Sequence, residues 1–173
     1  MSSDPLSIEG VNGLPEGRFM AMFGDVAEHS PWVARQAMAG RPFADREAMI
    51  QAMTDAIGKA PLEARLALIR AHPDLAGKAA IAGEIAEDSR REQAGVGLDR
   101  LTESEYETFQ RLNDSYKKRF GFPFILAVKG ATKEIILREF QVRVQNDPVA
   151  ERETALAQIG RIIRFRIEDR VLP

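Results

Sequence analysis

His72 stands directly before Pro73. The residue preceding a proline is pushed out of helical geometry, which places this imidazole at the C-terminal end of a helix expected over Leu62–Ala71. There the helix dipole favours the imidazolium, and a histidine titrating near neutral pH can move protons. A lone histidine is more often structural, so the case depends on what accompanies it. On a helix expected from about Glu84 to Val96, a turn of about 100° per residue puts Ile85, Ser89, Glu92 and Val96 on one line, with Gln93 at its edge. Glu84, Glu87, Arg90 and Arg91 fall on the other side. A carboxylate facing a core is costly unless it is paired, protonated or open to a water-filled pocket. Glu92 is therefore either an acid–base group or a side chain at the mouth of the core, bonded to a neighbouring helix end.

The last helix repeats the pattern. Ala155, Ile159, Ile162, Ile163, Arg166 and Arg170 form one stripe, while Arg161 and Arg164 project oppositely and read as solvated. An arginine within an apolar stripe forms an inward ion pair or holds an anion through its bidentate fork. Snorkelling to water suits Arg170, near the helix end, better than Arg166. His29 reads as a surface or capping residue. Asn113, interrupting another apolar stripe, reads as a buried side chain bonded to backbone. One histidine, one glutamate and one arginine together suggest proton transfer on a small anion.

Much else is excluded. The chain has 173 residues and no cysteine, which removes disulfides, thiolate nucleophiles and Cys-based metal sites. Two histidines without a local carboxylate cluster make a poor metal site. Gly77-Lys78 is not a phosphate-binding loop, since position 72 is not glycine and residue 79 is alanine; HExxH, GxSxG and GxGxxG are absent. A net charge of −2 without a basic stripe argues against nucleic acid as a partner. No apolar run approaches the length of a membrane span. The N-terminus has no signal-peptide pattern and Val171-Leu172-Pro173 is no peroxisomal address, so a cytoplasmic protein is expected.

The elements that must position these residues are helices throughout. Residues 1–17, rich in proline and glycine, are expected to form an extended arm with a short turn. Helices are expected over Arg18–Glu28, Trp32–Ala39 after Pro31, and Arg46–Ile57, capped by Asp45 and stopped by Gly58. In Leu62–Ala71, Leu62, Leu66 and Ile69 form the apolar stripe. A short turn, either helical or irregular, follows over Gly77–Ala82. Thr102-Glu103-Ser104-Glu105 is a capping box that opens a helix over Glu103–Phe120. Phe124–Val128 is either extended or a buried turn. Thr132 opens a helix over Lys133–Gln145, and Asp147-Pro148 opens the last. With no strongly alternating segment, the expectation is all-α: one compact domain over 1–173 with roughly seven or eight helices. Such a length buries enough surface to need no staple.

Three stretches carry a resemblance. His72-Pro73-Asp74-Leu75-Ala76-Gly77, then Ser89-Arg90-Arg91-Glu92-Gln93, then Arg119-Phe120-Gly121-Phe122-Pro123-Phe124-Ile125 are similar to the signature of the OHCU decarboxylases. These are the 2-oxo-4-hydroxy-4-carboxy-5-ureidoimidazoline decarboxylases of urate breakdown. The resemblance runs from the second helix to the C-terminus. It implies an all-α homodimer that forms (S)-allantoin and CO2 with no metal or organic cofactor. It implies that His72 and Glu92 are catalytic and that Ser89 and Gln93 contribute contacts. It carries Pro73, Phe122, Phe124 and Ile125 over as pocket contacts and Arg166 as the substrate-binding arginine. Association with the upstream enzymes stays open, and Trp32 and Phe165 are candidates for an exposed apolar patch. Two other readings remain: a helical adaptor in which Glu92 and Arg166 pair for packing, and a decarboxylase of a related ureido acid.

Overall fold

The computed structural model describes residues 4–173, and every regular element among them is a helix. They are α1 (Ile8–Asn12), α2 (Glu16–Phe23), α3 (Trp32–Met38), α4 (Arg46–Lys59), α5 (Leu62–Arg70), α6 (Lys78–Ile81), α7 (Glu87–Gly95), α8 (Glu103–Phe120), α9 (Lys133–Arg143) and α10 (Pro148–Glu168). The all-α expectation holds. The ten helices exceed the seven or eight expected because α1 and α6, of 5 and 4 residues, are too short to show a period. None of the helices in the described residues is long and apolar enough to cross a membrane.

Two compact units make up the chain: the residues up to Ala71 with Gly160–Pro173, and His72–Ile159. In the first, α2 packs on α3 and α3 on α4, around fully buried Val11, Phe19, Phe23, Met49, Met53 and Ile163. The expected extended arm is corrected here, its first three residues lying outside the described ones. The Ser7 side chain accepts from Gly10 N at 3.1 Å and caps α1, whose Val11 is fully buried. Leu6 then pairs with the C-terminal segment as a parallel bridge to Val171. Asn12 fixes the far side, donating to Phe43 O at 2.9 Å and accepting from Phe43 N at 2.8 Å.

Other boundaries shift for local reasons. α2 ends at Phe23, capped by Gly24, and residues up to Ser30 form turns rather than helix. Gly58 does not stop α4, which continues to Lys59 until Ala60 turns extended before Pro61. On α5 the buried residues are Leu68 and Ile69, while Leu62 is exposed.

In the second unit, α8 begins with the expected capping box, the Thr102 hydroxyl accepting from Glu105 N and Glu105 accepting from Thr102 N. Gly121, with φ +77°, closes it in the left-handed conformation that glycine adopts without strain. α8 packs on α9 around Phe109, Tyr116, Phe124 and Phe140, the last two rings stacked at 3.8 Å. Residues 122–128 are all buried yet neither helical nor paired as a strand. Buried backbone needs partners, and side chains supply them: Arg143 donates to Ile125 O at 2.6 Å, and Ala127 N donates to Gln158 Oε1 at 3.0 Å.

Candidate active site

α5 ends at Arg70 with Ala71 as its cap, and the chain leaves the helix at His72 as Pro73 requires. His72 is buried. The residues after it form a tight turn in which Gly77 N donates to Asp74 O and Ala76 takes φ +52°. A left-handed alanine costs roughly 1–2 kcal/mol, so the surroundings must hold it there. A Cβ on Gly77 would lie 2.7 Å from Asp74 Cβ, so glycine is required for the turn to close.

The turn is held from two helices. From α7, Gln93 Oε1 accepts from Ala76 N at 2.9 Å and Gln93 Nε2 donates to Asp74 O at 3.3 Å. From α8, Gln110 Nε2 donates to Ala76 O at 2.7 Å and Asn113 Nδ2 to Leu75 O at 2.8 Å. Lys117 Nζ lies 2.6 Å from Asp74 Oδ2. The backbone bond expected of Asn113 is present.

α7 begins three residues later than the spacing suggests. Gly83, with φ +74°, and the bond from Glu84 N to Ala79 O finish the turn after α6, leaving Glu84 and Ile85 outside the helix. The inward residues of α7 are consequently Ser89 and Gln93, both buried, whereas Glu92 is half-exposed. Phe122, Phe124 and Ile125 are buried, and Pro73 is half-buried.

Beneath the Phe122–Ile125 segment lies a buried polar network. Arg143 donates through Nε to Glu151 Oε1 at 2.8 Å and stands 4.4 Å over the Phe124 ring. Tyr116 donates its hydroxyl to the same carboxylate oxygen, and Asn146 donates to the other at 3.0 Å. Burial first, and then the Glu151 carboxylate, push the Tyr116 phenol far above its ordinary value.

In the other unit, Arg166 is buried as its stripe predicts. It donates to Val26 O at 3.3 Å and to Glu28 Oε1 at 3.1 Å, and Glu28 is itself buried. Glu28, the arginine's carboxylate, is a residue the stripes do not reveal, because it lies in turns after α2. Arg170 reaches Met22 O at 2.7 Å and Asp25 at 2.5 Å. Arg164 is not simply solvated. It grips Glu47 with both terminal nitrogens at 2.6 and 2.8 Å, a bond that holds the Glu47 carboxyl below its ordinary value.

A cavity of about 550 Å³ is lined by Trp32, Gln36, Ala56, Lys59 and Pro61, but none of the site residues read from the sequence lines it. Trp32 and Phe165 are half-buried rather than exposed. Among the described residues no three His, Cys, Asp or Glu side chains gather as a metal site would require.

A buried histidine just before a clamped turn, with a hydroxyl, a carboxamide and a half-exposed carboxylate on α7, can orient a polar substrate and exchange protons with it. Known proteins share this sequence at length. The chain is 41% identical over 165 residues to the 2-oxo-4-hydroxy-4-carboxy-5-ureidoimidazoline decarboxylase of Haloferax volcanii, covering 95% of this chain and 96% of that one. It is 35% identical over 164 residues to the protein of that name from Amia calva, covering 95% and 94%. Among solved structures, an (S)-allantoin synthase superposes with a TM-score of 0.78 at 29% identity, over 96% of this chain and 54% of that one, so this chain spans about half its length. An OHCU decarboxylase solved in the presence of (S)-allantoin, at 21% identity and a TM-score of 0.65, shares the fold over 89% of this chain and 96% of that one. The family model described as OHCU decarboxylase matches residues 12–168, a span that holds His72 and its clamp, α7, the 122–128 segment and Arg166, and on that match the chain belongs to the OHCU decarboxylase family.

Proposed function

We propose that the protein decarboxylates 2-oxo-4-hydroxy-4-carboxy-5-ureidoimidazoline to (S)-allantoin and CO2 in urate degradation, without metal or organic cofactor. The observation that carries this reading is the family match over residues 12–168, which includes every residue assigned below. The chemistry agrees with the residues present. Most decarboxylases borrow an electron sink from a cofactor, whereas in this substrate a ring C=N lies beta to the carboxylate and accepts the electrons itself. When the C4–carboxylate bond breaks, its pair enters the C4–C5 bond as the C=N takes up charge. Loss of the C4 hydroxyl proton and protonation of C5 on one face then give the carbonyl and a single enantiomer.

His72 takes the C4 hydroxyl proton. Arg166, oriented by Glu28 at 3.1 Å, holds the substrate's anionic or carbonyl groups. Ser89 and Gln93 hold the ureido arm, and Pro73, Phe122, Phe124 and Ile125 line the ring's surroundings. Glu92 crowds the departing carboxylate or delivers the proton to C5. In this reading the protein is a cytoplasmic homodimer whose partners are neither nucleic acid nor membrane, and sedimentation of the purified chain checks the dimer.

The test generates the labile substrate in place from urate and the upstream enzymes, then follows dextrorotatory allantoin by circular dichroism. The folded protein is expected to accelerate its formation over the spontaneous, racemic decay; no acceleration overturns the reading. His72→Asn is expected to lower kcat by roughly 10²–10⁴-fold, the usual worth of a general acid or base.

A further inference from the structure

We infer that Gln110 and Asn113 of α8, assisted by Lys117, are positioning residues for His72, through their hold on the Asp74–Ala76 turn. The inference rests on the proposed decarboxylation and assigns a role to three residues of α8 that lie outside the motifs carrying the family resemblance. Residues 110, 113 and 117 recur at i, i+3 and i+7, so they share one helix face. That face meets consecutive groups of one turn: Ala76 O, Leu75 O and the Asp74 carboxylate, at 2.7, 2.8 and 2.6 Å. Two contacts are carboxamide bonds to backbone carbonyls, which read the path of the chain rather than its side chains. The third joins partly exposed groups and is the weaker restraint.

Two further features show that the hold has a purpose beyond packing. Ala76 is left-handed at φ +52°, a conformation that relaxes unless its flanking peptide groups are fixed, and strain of this kind gathers where a site is preorganised. Asn113, 2% exposed, spends its N–H on Leu75 O while its own Oδ1 has no hydrogen-bond partner among the described residues. A residue chosen for packing alone would be apolar at that point of the α8 stripe, between buried Phe109 and Tyr116. The turn begins two residues after His72, so its path fixes where the imidazole emerges. A displacement of about 1 Å at such a group can cost about 10²-fold in rate.

The experiment uses Gln110→Met and Asn113→Leu, near-isosteric changes that remove the donors, with Asp114→Ala on the exposed face of α8 as control. Gln110 is only half-buried, so its variant is expected to fold even where Asn113→Leu does not. Two measurements are made on each. Because the chain contains only two histidines, the carbon-bound ring protons of His72 can be followed by NMR, assigned by their absence in His72→Asn. The clamp variants are expected to shift the His72 resonances and leave those of His29. They should also lower kcat by roughly 10-fold or more with KM little changed, and lower the enantiomeric purity of the product. Asp114→Ala should match the parent in both. Unmoved His72 resonances overturn the inference whatever the activity; resonances that move without loss of kcat overturn it as well. If the parent protein fails to turn over the ureidoimidazoline, the decarboxylase reading falls, while the His72 shift still decides whether α8 positions the imidazole.

Discussion

Gly77 makes the most demanding requirement of any single position near His72. A methyl group there would sit 2.7 Å from Asp74 Cβ, within the same turn, so the backbone would have to move. Gly77→Ala is expected to lower kcat by roughly 10²-fold with little change in global stability, because the displaced segment is short; activity beside a urea titration checks this. Arg166 behaves differently, since its charge is bound to a buried partner. Removing one member of a buried ion pair costs about 3–5 kcal/mol, as the other charge is left uncompensated. Arg166→Met is therefore expected to lose both stability and turnover. Glu92→Gln, changing a half-exposed residue, should melt like the parent and lose turnover alone. Comparing the melts of the two variants separates a substrate group that also supports the fold from one that does not.

At the scale of elements, α8 is the helix whose design is most readily tested. Its capping box satisfies N-terminal donors that would otherwise be left unpaired, and Thr102→Ala is expected to cost about 1 kcal/mol in urea unfolding. Its middle carries the polar face toward the His72 turn, and Tyr116 carries it to the buried carboxylate of Glu151. The sequence revealed some of this and concealed the rest for definable reasons. The capping box, Pro73 after His72 and the inward placement of Arg166 were legible because each is a local or periodic signal. Asn113 was legible as an interruption of a stripe, yet Gln110 and Lys117 were not. Polar residues beside a stripe look solvated unless a loop from elsewhere in the chain comes to meet them. Arg143 was within reach, since Ile136, Phe140 and Arg143 are all buried at i, i+4 and i+7 on α9. Glu28 was out of reach, lying in irregular turns where no period marks an inward side. The start of α7 was misjudged because the apolar spacing of Ile85 with Val96 fits a helix that Gly83 and the Glu84–Ala79 bond prevent.

For the whole molecule, pH acts through groups whose ionisation the fold perturbs. Glu105 lies below its ordinary value chiefly because it accepts from the Thr102 backbone, and Glu47 because Arg164 binds it. Carboxyls lowered in the folded state contribute stability above their unfolded pKa and lose it as pH falls through the folded one. Glu105→Gln and Glu47→Gln are each expected to flatten the acid limb of the stability curve. Tyr116 has the opposite sign. Its raised phenol contributes fully below the unfolded value, about 10, and that contribution is lost as pH rises beyond it. Tyr116→Phe should remove this alkaline decline, and in the parent the Tyr116 phenolate absorbance should appear only with unfolding. The division of the chain also segregates its chromophores. Trp32, the single tryptophan, belongs to the unit containing α1 to α5, whereas Tyr106 and Tyr116, the two tyrosines, both belong to the unit of His72–Ile159. Red-edge fluorescence therefore reports on one unit and phenol absorbance on the other, with no label introduced.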